Sequence, residues 1–350
     1  MARWTVLLAF ILTWPAVAFG QGQEGVFTIP SFRFESGQVL ADMKVGYVIH
    51  GKLNEARDNA ILVTPGTGGT RHSHDGYIGP GRAFDTDRYV VVAVDAIGGG
   101  TSSQPKDGLG AEFPRYGIRD MVRAQHELLT EGLGITHLRA VGGASMGSFQ
   151  ALEWAINHSD MVDGIVLMVP SARAQNVFKA TVKMMVDIIM LDRRWNGGRY
   201  EQQPIDGLRT AGAFYFPWIV SEPYLNGLSA KVLQEQLAAG AASFESWDAW
   251  GVIRRYQASA DHDVSEPFGG SLAQALGRIR AGVLLLPSSS DRLLGTQAAR
   301  EIASLVPQAV YAEVPSAQGH RAWRPVQGSP ETAFTTARIR EFLDRLKPQP

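Results

Sequence analysis

Leu138-Arg139-Ala140-Val141-Gly142-Gly143-Ala144-Ser145-Met146-Gly147-Ser148-Phe149-Gln150-Ala151-Leu152-Glu153-Trp154-Ala155 is the stretch that decides the fold. Leu138–Val141 is a strand-like apolar run, and Ser148–Ala155 has the composition of a helix. Between them lies Gly-x-Ser-x-Gly in the setting that gives it meaning, strand then tight turn then helix. Such a turn lifts the Ser145 hydroxyl off the strand end. Glycines at 143 and 147 let strand and helix backbones pass close together, where a side chain would clash. The helix N-terminus offers free N–H groups beside the reacting carbon. The alternative is a glycine-rich turn with a solvated serine. It carries less weight because the rest of the chain supplies catalytic partners in a workable order.

Continuous apolar runs flank this turn on both sides: Ala60–Val63, Tyr89–Val94, Gly164–Val169, Gly282–Leu286 and Ala309–Val314. Runs without alternation suit strands buried on both faces of a parallel sheet. Val26–Phe34 and Lys44–His50 alternate apolar with polar residues and read as an antiparallel pair at one edge. Helical patterns at Ile118–Leu133 and Thr296–Leu305 fall between strands and a similar one at Thr332–Leu346 follows the last, so the fold class is α/β, a doubly wound, mostly parallel sheet. Residues 171–269 break the rhythm, with helices expected at Val177–Leu191 and Ala230–Ala239 and an aromatic stretch, Phe214-Tyr215-Phe216-Pro217-Trp218. This region reads as a helical cap over the C-terminal edge of the sheet, where ligands bind in open α/β sheets. The aromatic stretch either lines a pocket or packs the cap onto the core. The core is then 21–170 together with 270–350.

A serine hydroxyl needs a base within hydrogen-bond reach and a third group to orient that base. For a serine on this kind of turn the chain order is Ser, then Asp or Glu, then His. Three histidines follow Ser145: His158, His262 and His320. His158 falls at the end of the helix after Ser145 and points away from the turn. His262 sits in Asp261-His262-Asp263, expected to be a solvated loop of the cap. His320 lies in a loop after the last strand, where a base can reach back over the serine. Asp291 closes a strand that runs into a polar loop at the same edge, and is the expected acid; Asp261 and Asp263 are weaker candidates. For the oxyanion, Met146 N–H is one donor and Thr67 N–H, in the loop Thr64–Thr70, the other. That loop lacks the Gly-Lys-Ser/Thr ending of a phosphate-binding loop.

Bulk composition narrows the classes further. The 350 residues are 45% hydrophobic and 19% charged, a globular balance. Lys plus Arg total 33 against 34 Asp plus Glu, so no basic surface argues for nucleic acid. No cysteine is present, which excludes disulfides, thiolate metal sites, a cysteine nucleophile and a cysteine-linked lipid anchor. Arg3, the apolar run Trp4–Trp14 and Ala18-Phe19-Gly20 read as a cleavable leader over residues 1–20, with Gln21 as the new N-terminus. An uncleaved N-terminal anchor is the alternative. Either places the body outside the cytoplasm, in a bacterial periplasm or secreted.

Longer motifs carry a resemblance. Asp75–Gly81, Ala83–Tyr89, Ile118–Gln125, Gly147–Trp154, Trp195-Asn196-Gly197-Gly198 and Gly319-His320 together resemble the homoserine O-acetyltransferase family of the α/β-hydrolase fold. The resemblance implies a serine that accepts an acetyl group from acetyl-CoA and passes it to homoserine, and supports Ser145, Asp291 and His320 as its triad. The departures matter as much. An arginine and a tyrosine serve the amino-acid acceptor in that family; an ungapped reading puts Gly212 and Ile219 there. The family's oxyanion loop is replaced by Pro65-Gly66-Thr67-Gly68-Gly69. An exported chain also meets no acetyl-CoA. The expected function is a serine hydrolase cleaving a small or medium acyl ester through acyl-Ser145. An O-acyltransferase using the same triad is the alternative, and a non-catalytic binding protein the third reading. The expected partner is the small-molecule ester, without cofactor or metal, without nucleic acid, and without a membrane once the leader is removed. A homodimer is left open.

Overall fold

The structure is a computed structural model that describes residues 22–347; the expected leader lies outside the described residues. Eight strands form one sheet: β1 (Gln23–Arg33), β2 (Val39–His50), β3 (Ala60–Thr64), β4 (Val90–Val94), β5 (Ala140–Ala144), β6 (Gly164–Met168), β7 (Gly282–Leu286) and β8 (Ala309–Tyr311). Their spatial order is β1-β2-β4-β3-β5-β6-β7-β8. The pairs β1·β2 and β2·β4 are antiparallel and every later pair is parallel. The sequence patterns account for this division. β1 alternates exposed and partly covered positions, as an edge strand does, whereas β3 to β6 are buried at every residue.

Alternation within these strands divides the core between two faces. Leu62, Val92, Val141, Ile165 and Leu285 pack on one side, against Phe149, Leu152 and Trp154. Ile61, Val91, Ala140, Val166 and Leu284 pack on the other, against Ile339, Phe342 and Leu343. The covering helices are α1 (Ile118–Glu127), α2 (Met146–Asn157), α9 (Gly295–Leu305) and α10 (Pro330–Arg345). Between β6 and β7 run α3 (Asn176–Met190), α4 (Ile205–Tyr215), α5 (Glu222–Asn226), α6 (Ala230–Glu245), α7 (Ala249–Ala260) and α8 (Leu272–Leu276).

Several boundaries depart from the apolar pattern. The strand before Ser145 runs from Ala140 to Ala144, not from Leu138 to Val141. Gly142 and Gly143 are poor strand formers on their own, but pairing with Val166 and Leu167 holds them extended. Leu138 makes only an isolated bridge to Val162. The helix expected to reach Leu133 ends at Glu127 and continues as a π-turn, Leu128–Gly132. β8 stops at Tyr311, and Val314 bridges to Ser288 beyond it.

Candidate active site

Ser145 is the hinge between β5 and α2, with φ 56° and ψ −120°. That conformation is strained for a residue bearing a Cβ and costs on the order of 1–3 kcal/mol. Tight surroundings hold it. The Ser145 N–H donates to Met168 O at 3.0 Å, and Ser145 O accepts from Ser148 N at 2.8 Å and Ser148 Oγ at 2.7 Å. A Cβ on Gly147 would lie 2.4 Å from Thr64 O, and one on Gly143 2.6 Å from the Gly147 carbonyl carbon. Both glycines are therefore dictated by backbone contact.

His320 reaches this serine from the loop after β8, 175 residues away. Its Nε2 is 2.9 Å from Ser145 Oγ, and its Nδ1 is 2.8 Å from Asp291 Oδ2. The other Asp291 oxygen accepts from the N–H groups of Leu293 (2.8 Å) and Leu294 (3.3 Å), so the carboxylate is fixed on both sides. Ser290 Oγ accepts from Gly319 N at 3.0 Å and ties the loop of Asp291 to the loop of His320.

The other two histidines sit elsewhere. His158 caps the far end of α2 and stacks on His126, with centroids 4.4 Å apart; burial pulls its pKa down to about 4. His262 corrects an expectation. It is no solvated loop residue but is buried and stacked on Phe149 at 4.4 Å. Its segment pairs with the backbone of Ala172 and Ala174 and lies against α2, and burial pulls its pKa down to about 3. Asp261 is exposed beside Arg115, and Asp263 accepts from Ser265 N and Oγ, so neither faces His320.

The loop expected to complete the oxyanion site lies over the serine, with a Cβ built on Gly66 falling 3.9 Å from the Ser145 Cβ. Met146 is the first residue of α2, so its N–H has no acceptor within the helix. A buried amide chain fixes the loop from below. Trp154 Nε1 donates to Gln125 Oε1 (2.9 Å), Gln125 Nε2 to Gln150 Oε1 (2.6 Å), and Gln150 Nε2 to the carbonyls of Pro65 (3.1 Å) and Met146 (3.2 Å). From above, α7 supplies a clamp that sequence reading missed. Arg255 is fully buried and donates through Nη2 to Gly66 O at 3.1 Å and Gly69 O at 3.0 Å. Thr67 Oγ1 and Ser259 Oγ are 3.0 Å apart. The available signal was the spacing of Val252, Arg255 and Ser259, which puts an arginine on the buried face of an amphipathic helix.

Ser145 and His320 open into a cavity of about 450 Å³. Its far wall comes from the chain between β6 and β7: Tyr215, Ile219 and Tyr256. Burial raises the pKa of both tyrosines, so both hydroxyls stay protonated near neutrality. Of the aromatic stretch only Tyr215 reaches the cavity; Phe216 is buried and Phe214 packs against Trp218. Gly212 sits where α4 crosses α6, and a Cβ there would lie 2.3 Å from Gly240 O.

This topology, with a nucleophile-type turn at the end of β5 and a His–Asp pair on later loops, defines a protein of the α/β-hydrolase class. The family described as the alpha/beta hydrolase fold matches residues 59–322. Within that class the chain belongs to the homoserine O-acetyltransferase-like family, whose members are enzymes. It is 33% identical to a homoserine O-acetyltransferase from Thermobifida fusca, over 82% of this chain and 86% of the relative. Among solved structures, it superposes on an acetylester hydrolase from Corynebacterium glutamicum with a TM-score of 0.87 and 27% identity, covering 92% of this chain and 96% of the other. A homoserine O-acetyltransferase from Bacillus anthracis gives 0.83 at 27% identity, covering 93% and 98%. Transferases and ester hydrolases thus share this architecture.

Proposed function

We propose that the protein is a serine esterase that transfers a small or medium acyl group to Ser145 and then to water. The observation that carries this reading is the unbroken relay from Ser145 Oγ through His320 to Asp291, at 2.9 and 2.8 Å. Ser145 Oγ attacks the ester carbonyl while His320 Nε2 takes its proton. Asp291 accepts from Nδ1–H, fixing the tautomer and stabilising the imidazolium. The carbonyl oxygen, now an anion, is received by the N–H groups of Met146 and Thr67. His320 then protonates the leaving alcohol. In the second half a water attacks acyl-Ser145, giving its proton to His320, and the acid leaves as Ser145 is reprotonated. Tyr215, Ile219 and Tyr256 form the cap wall of the pocket.

Water is favoured as the second acceptor because Gly212 packs directly against Gly240 O, where no arginine side chain has room. The transferase reading rests on the named relatives, chiefly the 33% identity to a homoserine O-acetyltransferase. A fluorophosphonate probe should label Ser145 and fail on Ser145→Ala. Release of 4-nitrophenol from acetate, butyrate and octanoate esters would grade chain length. O-acetylhomoserine formed at catalytic rates from acetyl-CoA and homoserine would overturn the hydrolase assignment in favour of transfer. We further propose export through the leader at residues 1–20; fractionation of cells expressing the full chain should place the mature protein, beginning at Gln21, outside the cytoplasm.

A further inference from the structure

The segment that supplies the base continues as Arg321-Ala322-Trp323-Arg324, so His320 and two guanidinium groups line the same cavity wall. No Asp, Glu or Lys is among the residues lining that cavity. Elsewhere, several sheltered arginines are matched by acids, Arg71 by Asp95 and Glu24, Arg119 by Glu35 and Glu266, Arg139 by Asp163, and the fully buried Arg255 donates to the carbonyls of Gly66 and Gly69. Arg321 and Arg324 have no carboxylate within ion-pair distance among the described residues. Arg321 rests over the Tyr224 ring at 5.9 Å, and its Nε is buried without a hydrogen-bond partner. Burial and the neighbouring Arg321 charge both disfavour the charge on Arg324. Two like charges beside a pocket, with donors unspent, are costly until an anion arrives. A purely apolar ester leaves that cost in place. A carboxylate relieves it, because a guanidinium fork matches its two oxygens.

We propose that the ester opened at Ser145 carries a carboxylate, which Arg324, with Arg321 beside it, holds in the cavity. This rests on the reading of Ser145 as the nucleophile, and the carboxylate sits on either the acyl or the alcohol side of the ester bond. Each side is tested by a free acid against its own methyl ester: mono(4-nitrophenyl) adipate for the acyl side, 4-acetoxybenzoate for the alcohol side. The readout is the ratio of kcat/KM for acid over methyl ester. On one arm this ratio should fall about 10–100-fold in Arg324→Gln, the size of a charge-assisted hydrogen bond, and recover in large part in Arg324→Lys. Added salt should lower it in the wild type. If Arg324→Gln slows acid and methyl ester equally on both arms, its role is structural and the proposal fails. A binding measurement separates this from the nucleophile reading. Ser145→Ala protein, titrated calorimetrically, should bind monomethyl adipate or 4-acetoxybenzoate about tenfold tighter than the corresponding methyl ester. Arg324→Gln in that background should abolish the difference. Equal binding of acid and ester overturns the carboxylate proposal even if the wild type hydrolyses neutral esters. Discrimination in binding by a wild type that cleaves no ester upholds the carboxylate site at Arg324 and overturns the nucleophile reading instead.

Discussion

His320 stands over the N-terminus of α2 and His262 lies against its flank. Both are buried, and both have a carboxylate nearby. Yet Asp291 Oδ2 is 2.8 Å from His320 Nδ1, while Glu153 Oε1 is 3.9 Å from His262 Nδ1. His320 Nε2 meets a hydroxyl; His262 Nε2 has no hydrogen-bond partner among the described residues. Burial alone therefore does not make a base. A histidine that moves protons has both nitrogens in use, one held by a carboxylate and one aimed at the nucleophile. His262 is packed as a flat apolar ring against Phe149, and the price of that packing is a depressed pKa.

The sharpest test of the contrast exchanges each ring for a shape that cannot carry a proton. His320→Ala should reduce kcat by about 10⁶-fold, as loss of the base does in other serine triads. His262→Phe should change kcat/KM less than about threefold, because Phe keeps the stack on Phe149. A large loss in His262→Phe with the fold intact, checked by circular dichroism, would break the distinction. Asp291→Asn is next in size. It keeps the shape of the acid but favours the wrong imidazole tautomer, and kcat should fall about 10⁴-fold. Rapid fluorophosphonate labelling by that variant, at the wild-type rate, would count against Asp291 as the orienting group.

Chain order alone did not separate these histidines, since Asp261 and His262 also follow Ser145 in the order acid then base. The position of His320 on a loop after the last strand is what singled it out, while the solvated loop expected for His262 was mistaken. The parallel strands were legible because double burial leaves continuous apolar runs such as Ala60–Val63. Reading failed where tertiary contact overrides local composition. Asp261-His262-Asp263 looks solvated because its neighbours are charged, but the backbone turns the histidine alone inward. Arg255 was missed because a charged residue on an apolar face reads as an exception until its acceptors, two carbonyls 186 and 189 residues away, are brought to it.

Arg255 sharpens the comparison from the oxyanion side, since it positions the loop without touching the reacting atoms. Arg255→Met preserves bulk but removes the guanidinium shared by Gly66 O and Gly69 O, leaving Gly66 O with the Gly69 N–H alone, and loosens the loop that carries Thr67. The expected result is a fall of about 10–100-fold in kcat with KM nearly unchanged, since an oxyanion donor acts in the transition state. Arg255→Lys should recover part of it. A variant that raises KM and spares kcat would assign Arg255 to the pocket wall instead.

The smallest effect expected concerns stability rather than rate, and it isolates what burial does to His262. Its folded pKa of about 3 lies below the ordinary 6.5, so the folded state refuses a proton that the unfolded chain accepts. Stability from the neutral ring is complete above about pH 6.5 and is lost as pH falls from there toward 3. Glu153 has the opposite sign. Burial raises its pKa from 4.5 to about 7, so the folded state keeps a proton that the unfolded chain releases, and stability falls as pH rises from 4.5 to about 7. The two limbs should separate by mutation, measured as urea-unfolding free energies between pH 4 and 8. His262→Phe should flatten the acid limb by roughly 1–3 kcal/mol, and Glu153→Gln should flatten the limb approaching neutrality. The acid limb will not vanish entirely, because burial also holds His74 and His158 at about 4. An acid limb unchanged in His262→Phe would mean that His262 takes up its proton in the folded state, by moving toward Glu153 and closing the 3.9 Å gap.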